Sequence, residues 1–317
     1  AGHLTTTGAT VLRDDESRPY TSHRAELYTP AELFAGFDPS APNGYAATFD
    51  ASVYRHVVAT GQQPASIAES LARRLHDHSI SDSLDHALVG QRPVAVMGGH
   101  ALERGDPRYG QIAELSRRLA GDGHLMLSGG GPGAMEATHL GAWMAGHPDD
   151  ALDAALAILA PRPTGAPPGR EYADADWLHR AWAVRTRWPA TGAHTSIGIP
   201  TWAYGHEPPA AFADLVAKYF ANSVREEGLL AVATHGVIFT PGSAGTVQEI
   251  FQDTTQNHYA TYGAASPMVL LGVDHWTRVL PVWDLLQALA ARHDYRDLIT
   301  LTDDPDEAVD FIRGYTR

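Results

Sequence analysis

The chain has 317 residues, 44% of them hydrophobic, and carries 37 Asp and Glu against 23 Lys and Arg, a formal net charge of −14. That length can bury a sizeable core, while the acidic excess argues against a nucleic-acid polymer, whose backbone is met by clustered Lys and Arg. The absence of cysteine excludes disulfides, thiolate metal sites and a cysteine nucleophile; Lys218, the one lysine, would have to serve any Schiff-base chemistry, and no Gly-rich segment has a Walker lysine.

The opening Ala1-Gly2-His3-Leu4-Thr5-Thr6 lacks a basic-then-apolar signal pattern, and no run approaches a membrane span of about 18 apolar residues. A cytoplasmic protein without membrane partners is expected. Residues 1–89 read as an N-terminal helical extension, with amphipathic patterns at 47–59 and 64–88; in the second, Ile67, Leu71, Leu75 and Ile80 recur at near-helical spacing. These helices are expected to pack on the core or on a second subunit.

From Pro93 the sequence alternates apolar runs, Gly-rich turns and helical patterns, which predicts an α/β fold: a doubly wound, Rossmann-like parallel sheet over 90–317. Strands are expected at 93–97, 124–127, 154–159, 195–199, 236–239, 267–273 and 298–301. Helices are expected at 109–120, 134–145, 209–231, 246–257, 276–291 and 305–313. The segment at about 161–193 interrupts the rhythm with Pro161, Pro163, Pro167 and Pro168, followed by Trp177, Trp182 and Trp188. It reads either as an insertion bordering a site or as a surface excursion packed down by its tryptophans.

Three predicted strand ends carry Gly-rich loops: Gly98-Gly99-His100, Ser128-Gly129-Gly130-Gly131-Pro132-Gly133-Ala134-Met135-Glu136, and Pro241-Gly242-Ser243-Ala244-Gly245-Thr246. In parallel α/β sheets ligands bind beyond such ends, where helix starts present unpaired amides and a positive dipole end. The middle loop fits the dinucleotide pattern G-x-G-x-x-G/A, but it follows the second strand, and no acidic residue closes the next. In the third loop Gly242 and Gly245 free the backbone to approach an anion, Thr246 adds a hydroxyl, and Glu249 lies a turn further on. One such loop could be turn geometry alone, and Glu249 alone could be a dipole-favoured acid. Three loops at three strand ends favour a ligand site.

The run Pro241-Gly242-Ser243-Ala244-Gly245-Thr246-Val247-Gln248-Glu249 resembles the P-G-G-x-G-T-x-x-E motif of the lonely-guy family, whose members are often labelled lysine decarboxylases. The 128–136 loop resembles that family's other signature, and Gly98-Gly99 and Tyr109 also fit, so the resemblance covers about 93–273. The stretches Ile199-Pro200 through Glu207-Pro208-Pro209, and His235 through Phe239, look more like the larger bacterial nucleotide 5′-monophosphate nucleosidases. The resemblance implies hydrolysis of nucleoside 5′-monophosphates to free base and ribose 5-phosphate, without metal or organic cofactor, in a homodimer or higher homo-oligomer. It also implies that Glu249 and an upstream arginine, here Arg225, are catalytic. The chain departs from the family in two places: the usual Arg-Lys pair is Arg225-Glu226, one residue further from the motif, and the second motif glycine is Ser243.

A fixed carboxylate suits N-glycoside cleavage, which passes through an oxocarbenium-like ribosyl cation. On this reading the 241–246 loop binds the 5′-phosphate. Gly98, Gly99, His100, Ser128, Gly129, Gly130, Gly131, Gly133, Met135 and Glu136 frame ribose and base. Met135 reads equally as a core residue. His139, His206, His235 and His258 lack metal-motif spacing, and no metal is expected. The alternatives are a non-catalytic nucleotide-binding or carrier protein on the same fold, or an assembly role for the N-terminal helices beside a vestigial site.

Overall fold

Strand β1, Pro93–Met97, is buried along its whole length. Val94 and Val96 face one core cluster and Ala95 and Met97 the other, so this apolar run has both faces covered, as a central parallel strand requires. The computed structural model describes residues 17–38, 40–41, 44–192 and 195–316. The remaining strands are β2 Leu125–Ser128, β3 Ser196–Gly198, β4 Leu215–Val216, β5 Val237–Phe239, β6 Met268–Leu271 and β7 Ile299–Thr302. They form one seven-stranded sheet in the order β4-β3-β2-β1-β5-β6-β7, every neighbouring pair parallel. The expected doubly wound parallel sheet is therefore present. The order runs outward in both directions from β1, so winding reverses at the β1–β5 seam, where Met97 lies opposite Phe239.

The helices in chain order are α1 Pro30–Leu33, α2 Phe49–Thr60, α3 Ile67–Leu88, α4 Pro107–Gly121, α5 Ala134–Met144, α6 Ala151–Leu159, α7 Ala175–Arg187, α8 Asn222–Val232, α9 Ala244–Tyr259, α10 Trp283–Ala290 and α11 Pro305–Arg313. Several begin where the sequence supplies a cap. Asp106-Pro107 and Asp304-Pro305 each put a carboxylate on an early amide and a proline in the first turn. Helices α4 to α7 and α11 cover one face of the sheet; α3 and α8 to α10 cover the other. The N-terminal residues Tyr28, Val53, Ile80 and Leu84 share the second core with Ile197, Leu229, Phe239 and Ile250.

Three sequence expectations are corrected. The apolar run 154–159 is helix, not strand: α6 buries Leu152, Ala155 and Leu159 at three- and four-residue spacing. A short apolar run does not distinguish the two states, and alanine favours helix. Within the expected helix 209–231, Leu215 and Val216 instead form edge strand β4, and α8 starts only at Asn222. The expected helix 276–291 divides into a π turn at His275–Val279 and α10, separated by Pro281, which cannot donate to a helical ladder. The proline-rich region at about 161–193, expected as an insertion or a surface excursion, contains helix α7 with Trp177, Ala181 and Val184 buried.

The β4 edge is closed by an antiparallel bridge. Tyr28 N–H donates to the Val216 carbonyl at 3.0 Å and Val216 N–H to the Tyr28 carbonyl at 2.8 Å. Among the described residues no helix is long and apolar enough to cross a membrane.

Candidate functional site

At the β1–β5 seam the first and third loops meet, and the second closes on the first. A Cβ on Gly98 would stand 2.0 Å from Thr240 Oγ1, and one on Gly133 only 2.5 Å from the Gly99 carbonyl oxygen. Gly133 also has φ of 72°, a left-handed conformation that other residues enter only with strain. Glycine thus lets three backbones converge at the switch point, where open α/β sheets hold their ligands. Gly98 and Gly99 are partly exposed and His100 is exposed.

The third loop leads into an uncapped helix start. Ser243, the N-cap residue of α9, makes no capping bond with its side chain, and Ser243, Ala244 and Gly245 are exposed. The first intrahelical bond runs from Val247 N–H to the Ser243 carbonyl. Among the described residues the amides of Ala244, Gly245 and Thr246 therefore have no acceptor, leaving an uncapped positive helix end. Thr246 is buried, its hydroxyl tucked beneath Gly242, and His275 Nε2 donates to the Gly242 carbonyl at 3.1 Å. Pro241 and Gly242 remain partly exposed. His275 was not foreseen, since a lone histidine thirty residues from a loop carries no local signal.

The second loop is more deeply set. Residues Ser128 to Gly133 are buried, with Gly130 pressed against Pro200 and Ile199. Ser128 Oγ accepts from Gly130 N–H at 3.1 Å and lies 2.8 Å from Nε2 of His139, so it braces the loop from inside. Burial holds His139 neutral, its pKa lowered to about 3. Met135 is partly exposed and lies along the loop, its sulfur and methyl in the space that side chains on Gly129 and Gly131 would need.

Glu136 turns away from the opening. It is fully buried and takes two bonds from Arg104, at 2.8 Å and 2.5 Å, and a third from the Tyr109 hydroxyl at 2.8 Å. Its carboxylate cannot frame a ligand while so engaged, and it anchors the start of α5 instead. Arg104 also donates to the Trp177 carbonyl at 2.6 Å, and its N–H donates to Glu171 at 3.0 Å. The 161–193 region is thus clamped to the second loop's helix, and Trp182 packs against Phe34 and Phe37. Arg104 was not singled out from the sequence, because a charged residue between two turns gives no hint that it is buried.

Arg225 and Glu249 are brought together. Arg225, on the first turn of α8, donates from Nε to the Ile199 carbonyl at 3.0 Å, at the end of β3, and its guanidinium lies against Gly129 at the end of β2. Glu249 stands on α9, after β5. Burial raises its pKa to about 7, the Arg225 charge pulling it down and Glu226 pushing it up. Among the described residues no ion pair joins the two, so a cation and a carboxyl with a near-neutral pKa share one rim uncombined. Glu207, which closes the far side beside Gly131, was noted in sequence only as part of a longer similarity.

Lys218 is fully buried, its Nζ 2.6 Å from Asp50 Oδ1, with the Trp202 indole donating to the same oxygen at 2.9 Å. It offers no open amine to a carbonyl ligand. Among the described residues no group of three His, Asp or Glu side chains is arranged to hold a metal ion.

Residues 184–312 match the family described as "Possible lysine decarboxylase", the lonely-guy family named above. The matched segment holds Arg225, the 241–246 loop and Glu249, and begins beyond the first two Gly-rich loops. No match was found among curated proteins. Among solved structures, the molybdenum cofactor binding protein from the phototrophic bacterium Rippkaea orientalis is 16% identical over 70% of this chain and 96% of its own, with a TM-score of 0.43.

Proposed function

We propose that the chain hydrolyses the N-glycosidic bond of nucleoside 5′-monophosphates, releasing free base and ribose 5-phosphate. The observation that carries this reading is the uncombined pair of Glu249 and Arg225 beside the open amide end of α9. The amides of Ala244, Gly245 and Thr246 take the 5′-phosphate, which needs no net positive charge on the protein. At 1.5 Å rise per residue, Glu249 stands roughly 7.5 Å along the helix axis from Ala244, so a phosphate anchored at the helix start leaves the sugar beside the carboxylate. Phosphate binding then serves the reacting centre.

As the C1′–N bond breaks, its electron pair leaves with the base and positive charge develops on the ribosyl ring. The ionised Glu249 stabilises that charge and takes a proton from the water that attacks C1′, a task suited to a pKa near 7, and that proton passes on, directly or through solvent, to the nitrogen of the departing base, restoring the carboxylate. Arg225 holds phosphate or ribose hydroxyls with paired hydrogen bonds. The reading includes no metal or organic cofactor, and it places the chain in a cytoplasmic homo-oligomer.

Incubation with AMP, CMP, GMP and UMP, with free base assayed by chromatography, tests it. Monophosphates should be cleaved far faster than the corresponding nucleosides. Tight nucleotide binding without base release would instead support a non-catalytic nucleotide-binding protein.

A further inference from the structure

Helix α8, which carries Arg225, starts without a capping side chain of its own, its N-cap residue being Ala221. The first amides of a helix lack intrahelical partners, and a carboxylate is the favoured substitute. Instead, a carboxylate from α3, in the N-terminal extension, holds the two residues that lead into the helix. Phe220 N–H donates to Asp77 Oδ1 and Ala221 N–H to Asp77 Oδ2, both at 2.8 Å. Asp77 is only 3% exposed, so water does not compete for these bonds. The Ala221 carbonyl in turn accepts from Arg225 N–H at 3.3 Å. Asp77 and Arg225 are therefore joined through the two sides of a single residue. The Phe220 ring, 4.6 Å from both Tyr20 and Trp202, locks the segment laterally.

We propose that Asp77 is a positioning residue for Arg225. By clamping residues 220 and 221 it fixes where the first turn of α8 lies against α3, and so whether the guanidinium reaches Ile199 and Gly129. The N-terminal extension is then part of the site's construction. The proposal uses the nucleotide-hydrolysis reading for its kinetic test only.

The experiment compares wild type, Asp77→Asn, Arg225→Ala and the double variant in nucleotide monophosphate hydrolysis, with melting temperature and amide hydrogen exchange at Arg225. Asp77→Asn keeps the shape but removes the charge and one acceptor. It should lower kcat/KM on the order of tenfold, mainly in kcat, yet change the Arg225→Ala enzyme by less than about twofold. Exchange at the Arg225 amide should quicken on the order of tenfold.

Adding Ala221→Asp to Asp77→Asn gives α8 a cap of its own while leaving its tie to α3 broken. It also keeps the helix formed where Asp77→Asn alone does not fold. Melting temperature should recover and kcat should not. Recovery of both, or multiplicative rate losses with unchanged exchange, would overturn the proposal. If wild type releases no base, the functional reading fails and exchange alone decides: unchanged protection of Arg225 in Asp77→Asn refutes the positioning role.

Discussion

The guanidinium of Arg225 lies so close to the backbone of Gly129 that a methyl group there would come within 2.9 Å of Nη2 and 2.7 Å of the Met135 sulfur. Both obstacles are the far ends of flexible side chains, so Gly129→Ala should move them at little cost in stability. The displaced arginine matters more, because misplacement of about 1 Å costs up to ~100-fold in rate. We expect kcat to fall at least tenfold with melting temperature almost unchanged; equal losses of both would show that the glycine serves only the fold.

Arg225→Lys tests the guanidinium itself. A lysine reproduces the charge but neither the paired hydrogen bonds nor the Nε bond to Ile199. Steady-state hydrolysis should be seriously impaired in an equally stable protein. Unchanged kinetics would reduce Arg225 to a partner of neighbouring carboxylates, a contact of about 0–1 kcal/mol.

For Glu249→Gln, turnover should drop at least ~100-fold while nucleotide binding is largely kept. The wild-type rate should rise with pH through about 7 as the carboxyl ionises. Stability runs the opposite way. Because burial raises the folded pKa above its ordinary value of 4.5, folding binds extra protons between 4.5 and about 7, and stability falls across that window. Thermal melts should show Glu249→Gln matching wild type at pH 4 and exceeding it at pH 8; the reverse order would remove the buried-carboxyl argument.

Glu136→Gln breaks a fully buried ion pair and leaves the Arg104 guanidinium without the carboxylate that it grips, Glu171 being bonded only to the Arg104 backbone N–H. Removing one member of such a pair costs about 3–5 kcal/mol. Chemical denaturation should register that loss. A variant as stable as wild type would return Glu136 to the candidate ligand shell.

Asp253, fully buried one turn beyond Glu249, has an Oδ2 without a hydrogen-bond partner, and burial raises its pKa to about 8. It lines a cavity of about 20 Å³ with Gln256, whose Nε2 is likewise unpartnered. Protonation favours the folded state here, so stability is lost as pH rises from about 4 through 8. Asp253→Asn should raise the melting temperature by several degrees at pH 9 and by almost nothing at pH 4. Equal melting curves at pH 9 would mean that water or relaxation already satisfies the carboxylate.

What was legible in the sequence was what local chemistry decides. The 93–97 run announced a central strand because a parallel strand buried on both faces has to be apolar at every position, and the Gly-rich loops announced strand ends because only glycine tolerates such close backbones. The pairing of Arg225 with Glu249 was reached through family resemblance, not spacing. Hidden from the sequence were relationships made by tertiary contact: the Arg104–Glu136 pair, His275 beneath the third loop, and Asp77 at the start of α8. The error at 154–159 arose where apolar periodicity is ambiguous, and β4 was missed because two residues carry no period at all. Residues 1–16, the start of the expected 1–89 helical extension, lie outside the described residues.

The bridge between Tyr28 and Val216 also bears on how copies of the chain can associate. An uncovered sheet edge is a template for strand addition, which leads to swapped dimers or fibrils. At the β4 edge Val216 has spent its N–H and carbonyl on Tyr28, the one antiparallel bridge there among the described residues. At Val216 that edge therefore has no backbone pair left for an added strand. The opposite edge strand, β7, has four residues, two of them threonines, and carries no such bridge among the described residues.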